Sequence, residues 1–596
     1  MSRLKRLIVE IHRRSLWQVL LIYVGGAWVC YEIIDTITDR LALPEWLPVL
    51  AIVLFLVGLP AVVATGFIRE DAVSPVAAAA AEGTPTESGV EALRPRRHIT
   101  WRNSGLIFVF ALALWGLVAA GMFIFRGGAG EGPAVPDERP SVAVLPLENR
   151  SGLQQDEYFT DGIHDEILTQ LSKIGALSVR GRTSVMRYRE SPKNLREIGE
   201  DLNARYLLEG SVLRAGETVR INVQLIDAQR DEHLWAERYD RQLSIENLLA
   251  IQSEVARRIA GALEATLTPD EEDRLAALPT ANLEAYDHYL RGRHFWTERS
   301  LAAFDSAIQY YNRAVLLDPD YARAYAGLAE TYALIPEYGG ASISEILPVA
   351  RAATQRALAL DPDLAEAYTA SAYIKARFEW DYEGAERDYQ RAIELDPEYA
   401  TAHQWYAELL YINRRWDDAL AEARTAVDLD PLSFAPNLVL GITLFCSGRL
   451  DDAIPAIERA LAILPDQELA VKWLALASVL EGDYAAAAPL FDRFAEVSGT
   501  DRRAYRAYLA ALSDPAETPA AVTALQAPSL FVTGLVGGGS PFLAHLGQFD
   551  EALAVLEQAY AAREPRLEFV NAHPLFDGLR SDPRFQDLLR RMNLRD

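Results

Sequence analysis

A short tripeptide that returns at one spacing constrains this chain more than anything else in it. Leu317-Asp318-Pro319, Leu360-Asp361-Pro362, Leu395-Asp396-Pro397, Leu429-Asp430-Pro431 and then Leu464-Pro465 recur, with proline-to-proline steps of 43, 35, 34 and 34 residues. A fixed period near 34 means a stacked repeat. A second column keeps the same register: Ala385, Ala419, Ala453 and Ala487 are 34 apart and follow Tyr382, Trp416, Leu450 and Tyr484 by three residues.

A pair of helices explains both columns. Alanine lets two helices approach closely, so Ala307, Ala350, Ala385, Ala419, Ala453 and Ala487 mark a tight crossing at the start of each second helix. Seven residues on, Ala314, Ala357, Ala392, Ala426 and Ala460 put another small side chain on the same face. The Asp-Pro step then ends the helix, because proline lacks a donor and biases the preceding residue out of the helical region.

These residues resemble the tetratricopeptide repeat (TPR) family, whose small first-helix residue falls here at Ala329, Ala407, Gly441 and Ala475. The resemblance is specific from Leu283 to Phe494, weaker to Ala520, and returns at Gln548-Phe549-Asp550-Glu551-Ala552. It implies a TPR array over 283–565 with six to seven repeats, and a carboxy-terminal capping helix within 566–596, after Pro583. The 43-residue step reads as a nine-residue loop inserted around Pro336 to Ser344.

The amino-terminal third reads as membrane. Leu16 to Ile34, Leu47 to Ile68 and Gly105 to Phe125 are apolar runs of about 20 residues, enough to cross roughly 30 Å of hydrocarbon. Arg3, Lys5, Arg6, Arg13 and Arg14 precede the first run, and Arg69, Arg94, Arg96, Arg97 and Arg102 lie between the second and third. Only Arg40, Arg126 and Arg139 flank the other side. The positive-inside bias places residues 1–14 and the loop 69–102 in the cytoplasm, 15–126 in a bacterial inner membrane, and everything after 125 in the periplasm. Residues 127–140 read as a flexible tether. A net charge of -26 and a pI near 4.9 argue against a nucleic-acid partner. Cys30 and Cys446 are too few for a disulfide framework or a metal site, and no cofactor is expected.

Between tether and array, 141–267 reads as a small α/β domain with a mixed sheet. Strands are expected over Ser141 to Leu147, Leu177 to Val179 and His233 to Tyr239, and a hairpin over Tyr206 to Arg214 and Val219 to Ile226. Helices are expected over Glu157 to Ser172, Leu195 to Leu202 and Ser244 to Leu263. Five motifs here look like the TolB-amino-terminal-like (FlgO-like) domain. They are Leu145-Pro146-Leu147-x-Asn149-x-Ser151, Tyr158-Phe159-x-Asp161-Gly162-Ile163-x-Asp165, Arg182-Thr183-Ser184, Leu208-Glu209-Gly210-Ser211-Val212 and Leu234-Trp235-Ala236-Glu237-Arg238-Tyr239-Asp240. Relatives of that kind carry a cyclase, winged-helix or kinase domain on the cytoplasmic side. Only fourteen residues precede the first span here, so neither cyclase activity nor DNA binding is expected to carry over. The resulting fold class is multidomain: three transmembrane helices, a small α/β domain and an all-α TPR solenoid.

Asp161 and His164 share a helix face, a spacing that suits a metal or an acid–base pair. The plainer reading is an exposed helix start, or a polar network of Asp161, Arg182 and Glu209 that braces the fold. The chain has no G-x-S-x-G elbow, phosphate loop, kinase set or H-E-x-x-H pair. Binding is left to the concave face of the array, where the register puts Tyr373, Arg377, Gln404, Glu408, Tyr411, Leu438, Ile442, Phe445, Leu476 and Val479. The lysines and asparagines of a carboxylate clamp are missing from these positions. The expectation is a non-enzymatic periplasmic scaffold that holds a protein or peptide, with a sensory transducer as the alternative. An enzyme with an unrecognised site around Asp161 and His164 comes third.

Overall fold

Each Leu-Asp-Pro step stops a helix by the mechanism its proline dictates. In the computed structural model, which describes residues 139–594 apart from 190, 192 and 528–537, the residue before each proline has left the helix. Asp318, Asp361, Asp396, Asp430 and Leu464 have ψ between 68° and 100°. Their N–H groups still donate to the carbonyls of Ala314, Ala357, Ala392, Ala426 and Ala460, so each helix closes on the second alanine of its pair. Those five alanines, and the six at the helix crossings, have no exposed surface.

The array is built of paired helices: α6 (Leu283–Thr297) with α7 (Leu301–Leu317), α8 (Ala322–Leu334) with α9 (Ile343–Leu360), α10 (Ala365–Ile374) with α11 (Tyr382–Leu395), and α12 (Ala400–Ile412) with α13 (Trp416–Leu429). It continues through α14 (Phe434–Cys446) with α15 (Leu450–Ile463), α16 (Glu468–Leu480) with α17 (Tyr484–Ser498), α18 (Arg502–Ser513) with α19 (Thr518–Leu525), and α20 (Ser540–His545) with α21 (Phe549–Ala562). Eight pairs stand among the described residues where six or seven repeats are expected; the last two pair a short helix with a longer one, and so fall below the 34-residue pattern. The inserted loop is shorter than expected, because a 3-10 turn takes Ile335–Tyr338 and a Ser342–Glu345 capping box starts α9 before Ser344. Residues 566–594 hold two 3-10 turns, Leu567–Asn571 and Pro574–Leu579, before α22 (Pro583–Arg591).

Ahead of the array, β1 (Ser141–Val144) and β2 (Glu148–Asn149) lead into α1 (Glu157–Ser172). Then come β3 (Ser178–Val179), α2 (Arg182–Met186), α3 (Leu195–Asp201), the hairpin β4 (Tyr206–Ala215) and β5 (Thr218–Asp227), and β6 (Glu232–Gln242). Two helices follow, α4 (Ile245–Ala262) and α5 (Pro269–Ala276). The sheet order is β3-β1-β4-β5-β6, with β1 parallel to both neighbours and β4-β5-β6 antiparallel, so the sheet is mixed. Strand alternation explains the two-sided core: Val142 and Val144 face Ile163 and Ile167 of α1, while Ala143 and Leu145 face Val185 and Ile198 of α2 and α3. Ser244 caps α4 by accepting from Asn247 N–H.

The described residues fall in one compact unit. Among them no helix is long and apolar enough to cross a membrane. The three apolar runs, residues 1–14, the loop 69–102 and the tether up to 138 lie outside the described residues.

Close packing at the small first-helix position makes one prediction. A Cβ on Gly441 would sit 2.6 Å from Ile457 Cγ1 and 3.2 Å from Ile457 N. Gly441→Leu is expected to cost about 1–3 kcal/mol of overpacking strain, read by urea denaturation, with part of the loss recovered when Ile457→Ala is added.

Candidate functional site

The α/β domain is held on the array at the turns that end the repeat helices, in part through their aspartates. Val179 N–H donates to Glu398 Oε2 (2.9 Å), Gly181 N–H to the Leu429 carbonyl (2.7 Å) and Ser184 N–H to Asp430 Oδ1 (2.8 Å). Ser172 Oγ donates to Asp396 Oδ2 at 3.1 Å, and Leu432 N–H returns a bond to Ser184 Oγ at 2.8 Å. A Cβ on Gly181 would meet Asp430 Cγ at 2.6 Å, so the corner needs a glycine to come this close. Behind these bonds, Arg323 of α8 reaches Glu166 of α1 at 2.7 Å, with the carboxylate 2% exposed. Burial, reinforced by nearby Glu366, lifts the Asp396 carboxyl to about 7, and burial also pushes Asp430 up.

The start of α1 is buried, which corrects the expectation of an exposed helix end. Asp161 pairs with Arg189 and lies 3.8 Å from Arg182 and 3.5 Å from His294. His164 is fully buried, with Nε2 2.9 Å from the Val144 carbonyl and Nδ1 3.2 Å from Asp165. Both ring nitrogens are therefore engaged inside the fold. Asp161 and Arg182 do share a network, together with Asp165, but Glu209 stands apart from it, bonded by Gln224 across the hairpin.

On the opposite side, the segment after α21 folds back onto the first helices. Arg377, in a π-turn at Lys375–Glu379 that ends α10, pairs with Glu568 at 2.6 Å and with Glu408, under the ring of Phe569 at 4.5 Å. Burial pushes the Glu408 and Glu568 carboxyls up against the pull of Arg377. Arg566 pairs with Glu337 at 2.6 Å, and Tyr373 OH donates to the same carboxylate. Burial raises the Glu337 carboxyl, but Arg566 and Arg377 outweigh it and hold it at about 2. Phe569 packs on Tyr411 (5.3 Å), His573 on Trp473 (5.2 Å), and Asn571 Nδ2 donates to the Ile412 carbonyl.

Array, α/β domain and returning segment together wall a recess of about 1410 Å³. Six of the ten residues projected onto the concave face line it: Tyr373, Gln404, Glu408, Tyr411, Leu438 and Ile442. Arg377 is turned into the ion cluster beneath, and Phe445, Leu476 and Val479 are packed inside the array. The projection left out Trp405, Lys472 and Trp473 of the wall, although they occupy first-helix positions in the same 34-residue register. It also left out Arg182 of the docked domain, Arg323 of α8, and Arg566 and Phe569, which reach the recess from far along the chain.

Two outcomes follow from the returning segment. Arg377→Ala leaves two buried carboxylates without their cation and is expected to cost about 3–5 kcal/mol in urea denaturation, with a partial return when Glu568→Gln is added. Burial depresses His573 from its ordinary value to about 3. Its contribution to stability is therefore fully present above about 6.5 and is lost as pH falls toward 3, by up to about 1.4 kcal/mol per pH unit. His573→Gln should flatten that limb of a stability–pH curve.

Comparison with known proteins adds to this geometry. Residues 138–258 match the family model described as HilA/YgeH-like transcriptional regulator, second domain. Residues 381–434 and 438–501 match the tetratricopeptide repeat model. A protein of Rhizobium meliloti (strain 1021) named as a candidate adenylate cyclase is 40% identical over 201 residues, which is 34% of this chain and 34% of that one. The chain thus spans about a third of the length of this curated relative. That likeness overturns the expectation of a chain that is not an enzyme, since a third of it is shared with a protein bearing an enzyme's name. Among solved structures, Pseudomonas aeruginosa pilF is 21% identical, covering 34% of this chain and 90% of that one, with a TM-score of 0.29. A thermophilic TPR protein of Thermus thermophilus is 20% identical, covering 33% and 99%, with a TM-score of 0.28. With the repeat register, the helix pairs and the repeat model in agreement, the chain carries tetratricopeptide repeats beside a small mixed-sheet domain.

Proposed function

We propose that this chain is an inner-membrane-anchored scaffold whose periplasmic face holds a segment of a protein partner in the recess between array and α/β domain. Tetratricopeptide repeats suit protein–protein interaction, because stacked first helices present a continuous surface to an extended or helical segment. The observation that carries the reading is the recess itself. At about 1410 Å³ it exceeds the roughly 300–1,000 Å³ of ordinary small-molecule pockets, and Trp405, Trp473, Tyr411 and Phe569 supply aromatic anchors along it. The α/β domain, read as TolB-like on its motifs, closes one wall and narrows what can enter. The membrane anchor and the sidedness rest on the three apolar runs and the arginine asymmetry around them.

A second reading takes its support from the relative named for a cyclase: the chain serves a nucleotide-cyclase system, its array receiving the signal. A radiolabelled-ATP assay of the purified full chain for cyclic product is the check on it, and absence of product under every condition would count against it.

The scaffold reading is tested in cells. A photo-crosslinking residue at Gln467, on the exposed rim of the recess, is expected to trap a discrete partner, whereas one at Arg258 on α4 traps none; equal yields at the two positions would overturn docking in the recess. Protease added to spheroplasts is expected to remove the region after Phe125. Survival of that region until the membrane is broken would overturn the sidedness.

A further inference from the structure

A buried lysine in the recess wall has no counter-ion. Lys472, on α16, is 4% exposed, and among the described residues no carboxylate lies within ion-pair range of its ammonium. Its ammonium lies over the ring of Trp473, 5.2 Å from the centroid. Buried amines are ordinarily paired, because an isolated charge is costly to take out of water. Two arginines of the recess wall show the contrast: Arg566 is committed to Glu337, and Arg323 to Glu166.

The groups that bear on Lys472 come from two elements. Glu468, one turn back on the same helix, raises its pKa; Arg566 of the returning segment lowers it, and His573 of that segment stays neutral. Burial dominates, and brings the ammonium down to about 7. One repeat back in the register stands Leu438, with Ile442 a turn further along the same helix, and Trp473 and Phe569 add apolar surface to the same recess wall.

We infer that this end of the recess takes a monocarboxylate carried on an apolar or aromatic body, its oxygens paired with Lys472 and its body laid against Leu438, Ile442, Trp473 and Phe569. One unpaired cation matches one negative charge. A phosphate dianion would bring a second charge that no free group there neutralises. A carboxylate instead completes an ion pair the fold leaves open, and its body buries apolar surface the wall already offers. This ligand is separate from the protein segment proposed above; it shares the recess with that segment but needs no partner chain.

The test uses the full chain in lipid nanodiscs and titration calorimetry with 4-phenylbutyrate, 4-phenylbutanol as its uncharged counterpart, and inorganic phosphate, each corrected against empty discs. At pH 7, in buffers of different ionisation enthalpy, phenylbutyrate is expected to bind with uptake of about half a proton per ligand, as the half-charged amine fills. Lys472→Met should weaken it by about tenfold or more and abolish the uptake. Lys472→Arg should keep binding without proton uptake. Equal binding of the alcohol, preference for phosphate, no binding of phenylbutyrate, or unchanged binding in Lys472→Met would each overturn the assignment. None of these results bears on the Gln467 crosslink, so the two readings fail separately.

Discussion

The aspartates of the repeat turns act at two levels. Within the array, the Asp-Pro step ends each second helix and turns the chain into the next pair. At Asp396 and Asp430 the same side chains also receive the α/β domain, through Ser172 and Ser184. Were these turns closed by residues without a carboxylate, the array would still stack, but the small domain would lose the bonds from Ser172 and Ser184 and keep those through Glu398, the Leu429 carbonyl and Arg323. The energetic cost is visible in the chemistry of the groups. Both carboxyls are pushed up by burial, so the joint spends some stability on holding acids out of water.

The second wall rests on charges brought together from the middle of the array and the segment beyond its last helix. Arg377 sits between Glu408 and Glu568, partners 31 and 191 residues away in sequence. Buried clusters of this kind contribute little net stability but punish the loss of one member, so they specify an arrangement more than they strengthen it. Here the arrangement is the return of residues 563–573 across the first helices, which converts an open concave surface into an enclosed one.

Much of this was legible from periodicity. The alanine columns and the proline steps marked the helices, because both are local and repeat at a fixed interval. Glu157 to Ser172 was legible as a helix from its spacing, and the hairpin from Ala215-Gly216-Glu217 and its flanking alternation. The return of Arg566 and Phe569 left no such trace. Each makes its contacts more than 150 residues away, and the returning segment itself carries no repeat from which to project them. The burial of Asp161 and His164 was hidden for the same reason: it is created by α2 and α6 closing over α1, a tertiary event that a helix-start pattern cannot announce. Arg377 was placed on the right surface, but a π-turn after α10 redirected it beneath that surface.

The small domain stands on turns that belong to consecutive repeats, 34 residues apart, and it touches the first helices at Arg323 as well. Its footholds therefore measure the pitch of the superhelix. Anything that tightens or slackens the coil changes the distance between those footholds, and a rigid sheet domain must then tilt or let one of them go. In this sense the α/β domain is a caliper set across the array.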